Sequence, residues 1–117
     1  MYHQPLKGTV ECYYDKVDNH DYEGLLTYFA DDIIYRRCQR IITGKAALRH
    51  FYLKVRNLGG THNIETLVEK GNMVIVEGRF EGTKGRIPFE VQFADFFWFN
   101  KDQLIQERHT YTNQGKV

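Results

Sequence analysis

Tyr13, Arg37, Asp95, Glu107 and His109 are polar side chains at positions where the local pattern calls for an inward apolar residue. Burying ionisable groups in a small domain carries a desolvation cost. Such costs concentrate where a ligand is bound or transformed. Asp95 lies inside the run Phe93-Ala94-Asp95-Phe96-Phe97-Trp98-Phe99, so its carboxyl group must be protonated or paired. His109 beside it would complete a proton-transfer pair. The structural alternative is an ion pair of Asp95 with Arg37 or His109. Arg37 either clamps a carboxylate or enolate, or neutralises Asp95 or Glu107. Tyr13 brings a hydroxyl that must find a partner, in the core or on a ligand. Glu107, near the start of its strand, reads as a solvated rim residue. His50 and His62 have no identifiable partner and read as structural or surface residues.

The elements that must position these groups follow from periodicity. Val10, Tyr13, Tyr14 and Val17 have helical spacing over Thr9 to Val17. A second short helix spans Tyr22 to Phe29, and a third runs from Lys45 to Val55 with Ala47, Leu48, Phe51 and Val55 as its buried stripe. Ile33 to Arg37 reads as a strand. Beyond Thr61 come four strand-like runs: Ile64 to Glu69, Met73 to Glu81, Ile87 to Phe99 and Leu104 to Tyr111. Turn sequences around Gly71, Gly82 to Gly85 and Asn100 to Asp102 separate them. Helices first and an antiparallel meander after predict an α+β fold, with the helices on one face of a curved sheet.

Composition bounds the function. The 117 residues predict a single domain over 1–117, and a net charge of +1 gives no electrostatic case for nucleic acid or an acidic membrane. Arg36, Arg37 and Arg40 read as a solvated strand end. Met1 to Gly8 lacks the apolar core of a secretory signal, and no run approaches a membrane span. Cys12 and Cys38 lack metal-type spacing and are read as reduced, in a cytoplasmic protein.

The order of motifs resembles the nuclear transport factor 2-like superfamily, and within it the SnoaL-like polyketide cyclases and the ketosteroid isomerases. The resemblance rests on Val10-x-x-Tyr13, His20 to Leu26, Phe29-Ala30-Asp31-Asp32, Thr43 to Tyr52 and Phe93 to Phe99. It runs from Val10 to about Asn113. It implies a cone-shaped, curved, mixed or antiparallel sheet with N-terminal helices enclosing a pocket. In the ketosteroid isomerases a first-helix tyrosine and a protonated late-strand aspartic acid form an oxyanion hole. Tyr13 and Asp95 match these, but the position of the aspartate base falls on Arg37, which stays protonated. Steroid isomerisation by that route is therefore not expected. Limonene epoxide hydrolases use an Asp-Arg-Asp set, and Phe93 and His109 stand where its arginine and second aspartate would be. The polyketide cyclases place an acid on the last strand, where His109 would serve. Relatives of scytalone dehydratase use a His-Asp pair in the same kind of cone.

Strand alternation from an inward Asp95 turns Phe93, Phe97 and Phe99 inward and Phe96 and Trp98 outward. The same matching sends Ile33, Tyr35 and Arg37, Val74, Val76 and Phe80, and Glu107, His109 and Tyr111 inward. Gln106, Arg108 and Thr110 then face outward. Outward Phe96 and Trp98 predict a homodimer on the outer sheet face. The expected protein needs no cofactor, and Asp95, Glu107 and His109 have no metal-ligand spacing. It binds a small hydrophobic, oxygen-bearing molecule against Tyr35, Phe80, Phe93, Phe97, Glu107 and Tyr111. It acts as an isomerase, cyclase or dehydratase by proton transfer on Asp95 and His109, with Tyr13 and Arg37 stabilising negative charge. The alternative is a non-catalytic ligand-binding or dimerisation module.

Overall fold

The computed structural model describes residues 5–114. The reading of Met1 to Gly8 therefore falls partly outside the described residues. Helix α1 (Leu6–Asp18) forms because Leu6, Val10, Tyr13, Tyr14 and Val17 share one buried stripe. It stops at Asn19, whose side chain bonds back to the Asp15 carbonyl, and His20 turns the chain at φ 58°. Helix α2 (Tyr22–Leu26) is capped by Asp21, whose carboxylate accepts from the Gly24 amide at 2.9 Å. A Cβ at Gly24 would sit 2.5 Å from the Asp21 carboxylate, so a larger residue there would displace the capping side chain.

Phe29 opens β1 (Phe29–Arg37) instead of closing α2, and a short β2 (Arg40–Thr43) folds back on it. The sequence pattern does not reveal β2, because exposed Arg40 and Ile41 give it no clean alternation. Helix α3 (Lys45–His50) continues into a π-helical turn at Phe51–Val55. The meander follows as β3 (Leu58–Lys70), β4 (Met73–Lys84), β5 (Ile87–Phe99) and β6 (Ile105–Thr112). Strand β3 begins six residues before the expected Ile64, its first half hidden by Gly59 and Gly60.

The six strands form one mixed sheet, ordered β2-β1-β6-β5-β4-β3, with β1 parallel to β6 and every other pair antiparallel. This is the α+β cone expected from the sequence. Its concave face is closed by α1 and α3. Val10, Leu25, Phe29, Ile33, Tyr35, Leu48, Val74, Val76 and Phe97 are fully buried between the layers. Complete burial of a side chain the size of Phe97 contributes about 1.5–3 kcal/mol.

Two β-bulges decide which residues enter the cone. Trp98 pairs with Glu107 while Phe99 pairs with Ile105, so Gln106 is an extra residue in β6. Ile64 pairs with Gly78 while Thr66 pairs with Glu77, so Glu65 is an extra residue in β3. An inserted residue reverses the facing of everything beyond it. Arg108 and Thr110 are thereby turned inward, opposite Phe97 and Asp95. Glu107, His109 and Tyr111, expected inside, lie on the outer face, with Tyr111 56% exposed. In β3 the bulge brings His62 opposite Phe80 on the inner face.

Candidate functional site

Asp95 projects from the middle of β5 and is 1% exposed. Its partner is neither Arg37 nor His109. Arg108, the next inward position on β6, donates from Nη2 to Asp95 Oδ2 at 2.9 Å. Tyr14, from α1, donates to the same oxygen at 2.5 Å, and Thr110 donates to Oδ1 at 2.5 Å. Burial alone would raise the Asp95 pKa. The Arg108 charge and the bonds from Thr110 and Tyr14 outweigh it and hold the carboxyl below its ordinary value. Asp95 is thus a fixed anion. It has no proton to donate and is a weak base, so its chemistry is to hold Arg108 in place.

Arg108 spends its other terminal nitrogen, Nη1, on two phenols, Tyr13 and Tyr52 at 3.1 Å. Its guanidinium also sits over the rings of Tyr13, Tyr35 and Phe97 at 4.6–4.9 Å. Tyr13 and Tyr52 bond to each other. Desolvation raises both phenol pKa values, against the opposing Arg108 charge, so both carry their protons at neutral pH. Proton bookkeeping then leaves a surplus. One phenol donates to the other, and both oxygens accept from Arg108. The remaining O–H has no acceptor among the described residues. Tyr35 bonds Thr110 at 2.9 Å and accepts from Arg37 at 2.8 Å, extending the network to the cone's mouth.

His62 enters from the opposite wall. Its Nδ1 lies 2.6 Å from Asp18 Oδ1, and its amide donates to Asp18 Oδ2 at 2.9 Å. The ring packs against Tyr14, Phe80 and Phe93. Desolvation lowers its pKa below the ordinary value of 6.5, although Asp18 pulls the other way. With Nδ1–H committed to Asp18, the lone pair on Nε2 is the group left over, and no described residue bonds it. The sequence reading of His62 as a structural or surface residue without a partner is corrected here: its partner Asp18 lies 44 residues away, and His62 sits in the part of β3 ahead of the expected strand.

These groups share one inner chamber of about 30 Å³, lined by Tyr13, Tyr52, His62, Phe93, Asp95 and Arg108 among others. Phe80 and Arg37 also line it, whereas Phe97 is buried under the Arg108 guanidinium and Tyr35 bonds to its lining residue Thr110. A larger cleft of about 480 Å³ opens above, sharing Arg37, Arg56 and Leu58 with the chamber. His109 belongs to neither. It bonds Glu107 at 2.5 Å and packs on Trp98, outside the cone.

Residues 10–108 match the family model of the SnoaL-like domain. The chain belongs to the SnoaL-like family. Solved structures agree on the SnoaL-like fold. A putative SnoaL-like polyketide cyclase of Shewanella denitrificans superposes with a TM-score of 0.81 at 17% identity, covering 95% of this chain and 93% of that one. An LEH-like epoxide hydrolase of Mycobacterium tuberculosis gives 0.81 at 18% identity, covering 93% and 83%. A Catenulispora acidiphila protein of ketosteroid isomerase-like fold, bound to trimethylamine, gives 0.77 at 18%, covering 88% and 83%. No curated protein matches the chain. Among the described residues, no helix of this SnoaL-like chain is long and apolar enough to cross a membrane.

Proposed function

We propose that this SnoaL-like protein is a cofactor-independent enzyme that moves a proton on a hydrophobic, carbonyl-bearing substrate, in an isomerisation, cyclisation or dehydration. The observation that carries this reading is the placement of a base and a donor on one chamber. His62 offers an unpartnered Nε2 oriented by Asp18, and the Arg108-held phenols offer a spare O–H. A substrate carbonyl accepting from Tyr13 or Tyr52 would build negative charge beside the Arg108 guanidinium, where it is stabilised. The C–H next to that carbonyl would give its proton to His62, which returns it at the new position or to the leaving group. Asp95 keeps Arg108 in register and takes no proton. The acid-base role expected of Asp95 and His109 passes to Asp18 and His62.

The test is deuterium uptake at carbon α to the carbonyl, followed by NMR for a panel of small ketones and enones in D₂O. Wild-type exchange should fall about 100-fold or more in His62→Gln, the scale of one general base. Equal exchange in the variant would refute the assignment. The narrow chamber favours a second reading, a non-catalytic ligand-binding module of the same fold. On that reading ligands bind in the outer cleft and no ketone exchanges in either protein.

Assembly is part of the proposal. Phe96, Trp98, His109 and Tyr111 form a continuous aromatic cluster on the outer sheet face, with Phe96 and Trp98 stacked at 6.1 Å. Such a face calls for a covering surface, and a two-fold homodimer supplies one. Cys12 and Cys38 form no disulfide with each other, and the reading places the protein in the cytoplasm.

A further inference from the structure

The outer cleft is electrostatically one-sided. Its described lining holds Arg37, Arg40, Arg56 and Lys84 and no aspartate or glutamate. The chain as a whole is nearly neutral at +1, so this is segregation of charge and not a reflection of composition. Four of the five arginines elsewhere are matched: Arg36 with Glu107, Arg49 with Glu23, Arg79 with Glu81 and Glu90, and Arg108 with Asp95; Arg86 alone among these makes no ion pair with the described residues. Arg40, Arg56 and Lys84 make no ion pair among the described residues. They lie instead against ring faces. Arg40 is 5.5 Å from the Phe51 centroid, Arg56 is 5.8 Å from that of Phe80, and Lys84 is 5.7 Å from that of Phe89. A ring face orients a cation without neutralising it. The remaining lining is apolar or neutral: Phe51, Val55, Leu58, Cys38, Gln39 and Asn57.

We propose that this cleft is an anion-binding site, and that the ligand carries a carboxylate or a phosphate on an aromatic or apolar body. The body lies on Phe51 and Leu58, and the anionic group is held by Arg40, Arg56 and Lys84. This rests on the proton-transfer reading in one respect: the same molecule directs its carbonyl end past Arg56 and Leu58, residues common to cleft and chamber. The charge then selects the substrate and fixes which end enters. A cleft with low-dielectric walls and one sign of charge also concentrates the anion at its mouth.

Calorimetry with three probes of one shape tests this: 2-naphthoate, the uncharged 2-naphthamide and 2-naphthyl phosphate. At low salt an anionic probe should bind at least about tenfold tighter than the amide, and the preference should shrink as salt is raised. The double variant Arg40→Gln/Lys84→Gln should cut the preference to below about threefold while leaving amide affinity and far-UV circular dichroism unchanged. Tighter binding of the carboxylate or of the phosphate names the natural group. Equal affinity of all three probes for the wild type overturns the proposal, as does a preference that neither salt nor the double variant reduces. Ketone exchange without charge preference would retire the anion site and leave the proton-transfer reading standing. Charge preference without exchange would do the reverse.

Discussion

Removing the Asp95 carboxylate while Arg108 remains should be among the most damaging single changes in this protein. In Asp95→Leu the hydroxyls of Tyr14 and Thr110 and the Nη2 group of Arg108 all lose their acceptor at once. The Nε of Arg108 is already without a hydrogen-bond partner, so the guanidinium has little left to lose. Side chains of both residues are 2–3% exposed, so bulk solvent does little to compensate. Breaking a buried pair in this way costs about 3–5 kcal/mol. Arg108→Met should cost a similar amount, since it leaves Asp95 charged and buried. Replacing both, as Asp95→Leu/Arg108→Met, removes the unpaired charge together with its partner and lets Tyr13 and Tyr52 keep their mutual bond. The double variant should therefore be more stable than either single one, with a coupling energy of at least about 2 kcal/mol. Trp98 is the chain's sole tryptophan, so urea unfolding followed by its fluorescence and by far-UV circular dichroism gives all four stabilities. The pair also sets an acid dependence. Because the Asp95 pKa is lower in the folded state, its contribution is present above the ordinary carboxylate range and is lost as pH falls through the folded value. That loss should vanish in the double variant. Single-variant costs that add within about 0.5 kcal/mol would show that the pair does not act as a unit.

His62 should titrate below 6.5 in an NMR pH series, and Asp18→Asn should lower it further by removing the one strong influence that raises it. A midpoint at or above 6.5 in the wild type would contradict the neutral-base assignment. The acid limb of any activity should accordingly lie below 6.5 and shift downward in Asp18→Asn. Tyr13→Phe should reduce turnover by the equivalent of about 1–3 kcal/mol, the cost of one unmade hydrogen bond, with Tyr52 still present. Turnover equal to wild type would remove Tyr13 from the donor pair. Trp98→Glu should convert a dimer into monomer or aggregate in sedimentation velocity, and a wild type that sediments as a monomer at micromolar concentration would refute the outer-face interface. Gly60→Ala should destabilise by at least about 1–3 kcal/mol, because φ is 152° and a Cβ would lie 2.2 Å from the Glu81 carbonyl. A neutral result in urea unfolding would mean that the β3–β4 rim relaxes more freely than its packing suggests.

Local pattern alone was enough for the α+β class, α1, the long strand from Ile87 to Phe99 and the inward facing of Ile33, Tyr35, Val74, Val76, Phe93 and Phe97. These follow from periods of 3.6 and 2, which need no knowledge of distant partners. The outward aromatic pair Phe96 and Trp98 was legible for the same reason. What parity could not carry was continuity past a bulge. One extra residue at Gln106 exchanged His109 for Arg108 inside the cone, and one at Glu65 brought His62 in. A bulge is fixed by how two strands register against each other and against the layer above, so it leaves little trace in either strand's own alternation. The pairing of Asp18 with His62 is a relation across 44 residues, and that of Asp95 with Arg108 depends on the β6 bulge. Sequence determined that a carboxylate would be buried among aromatic rings; the tertiary structure decided which cation would neutralise it and which histidine would line the chamber beside it.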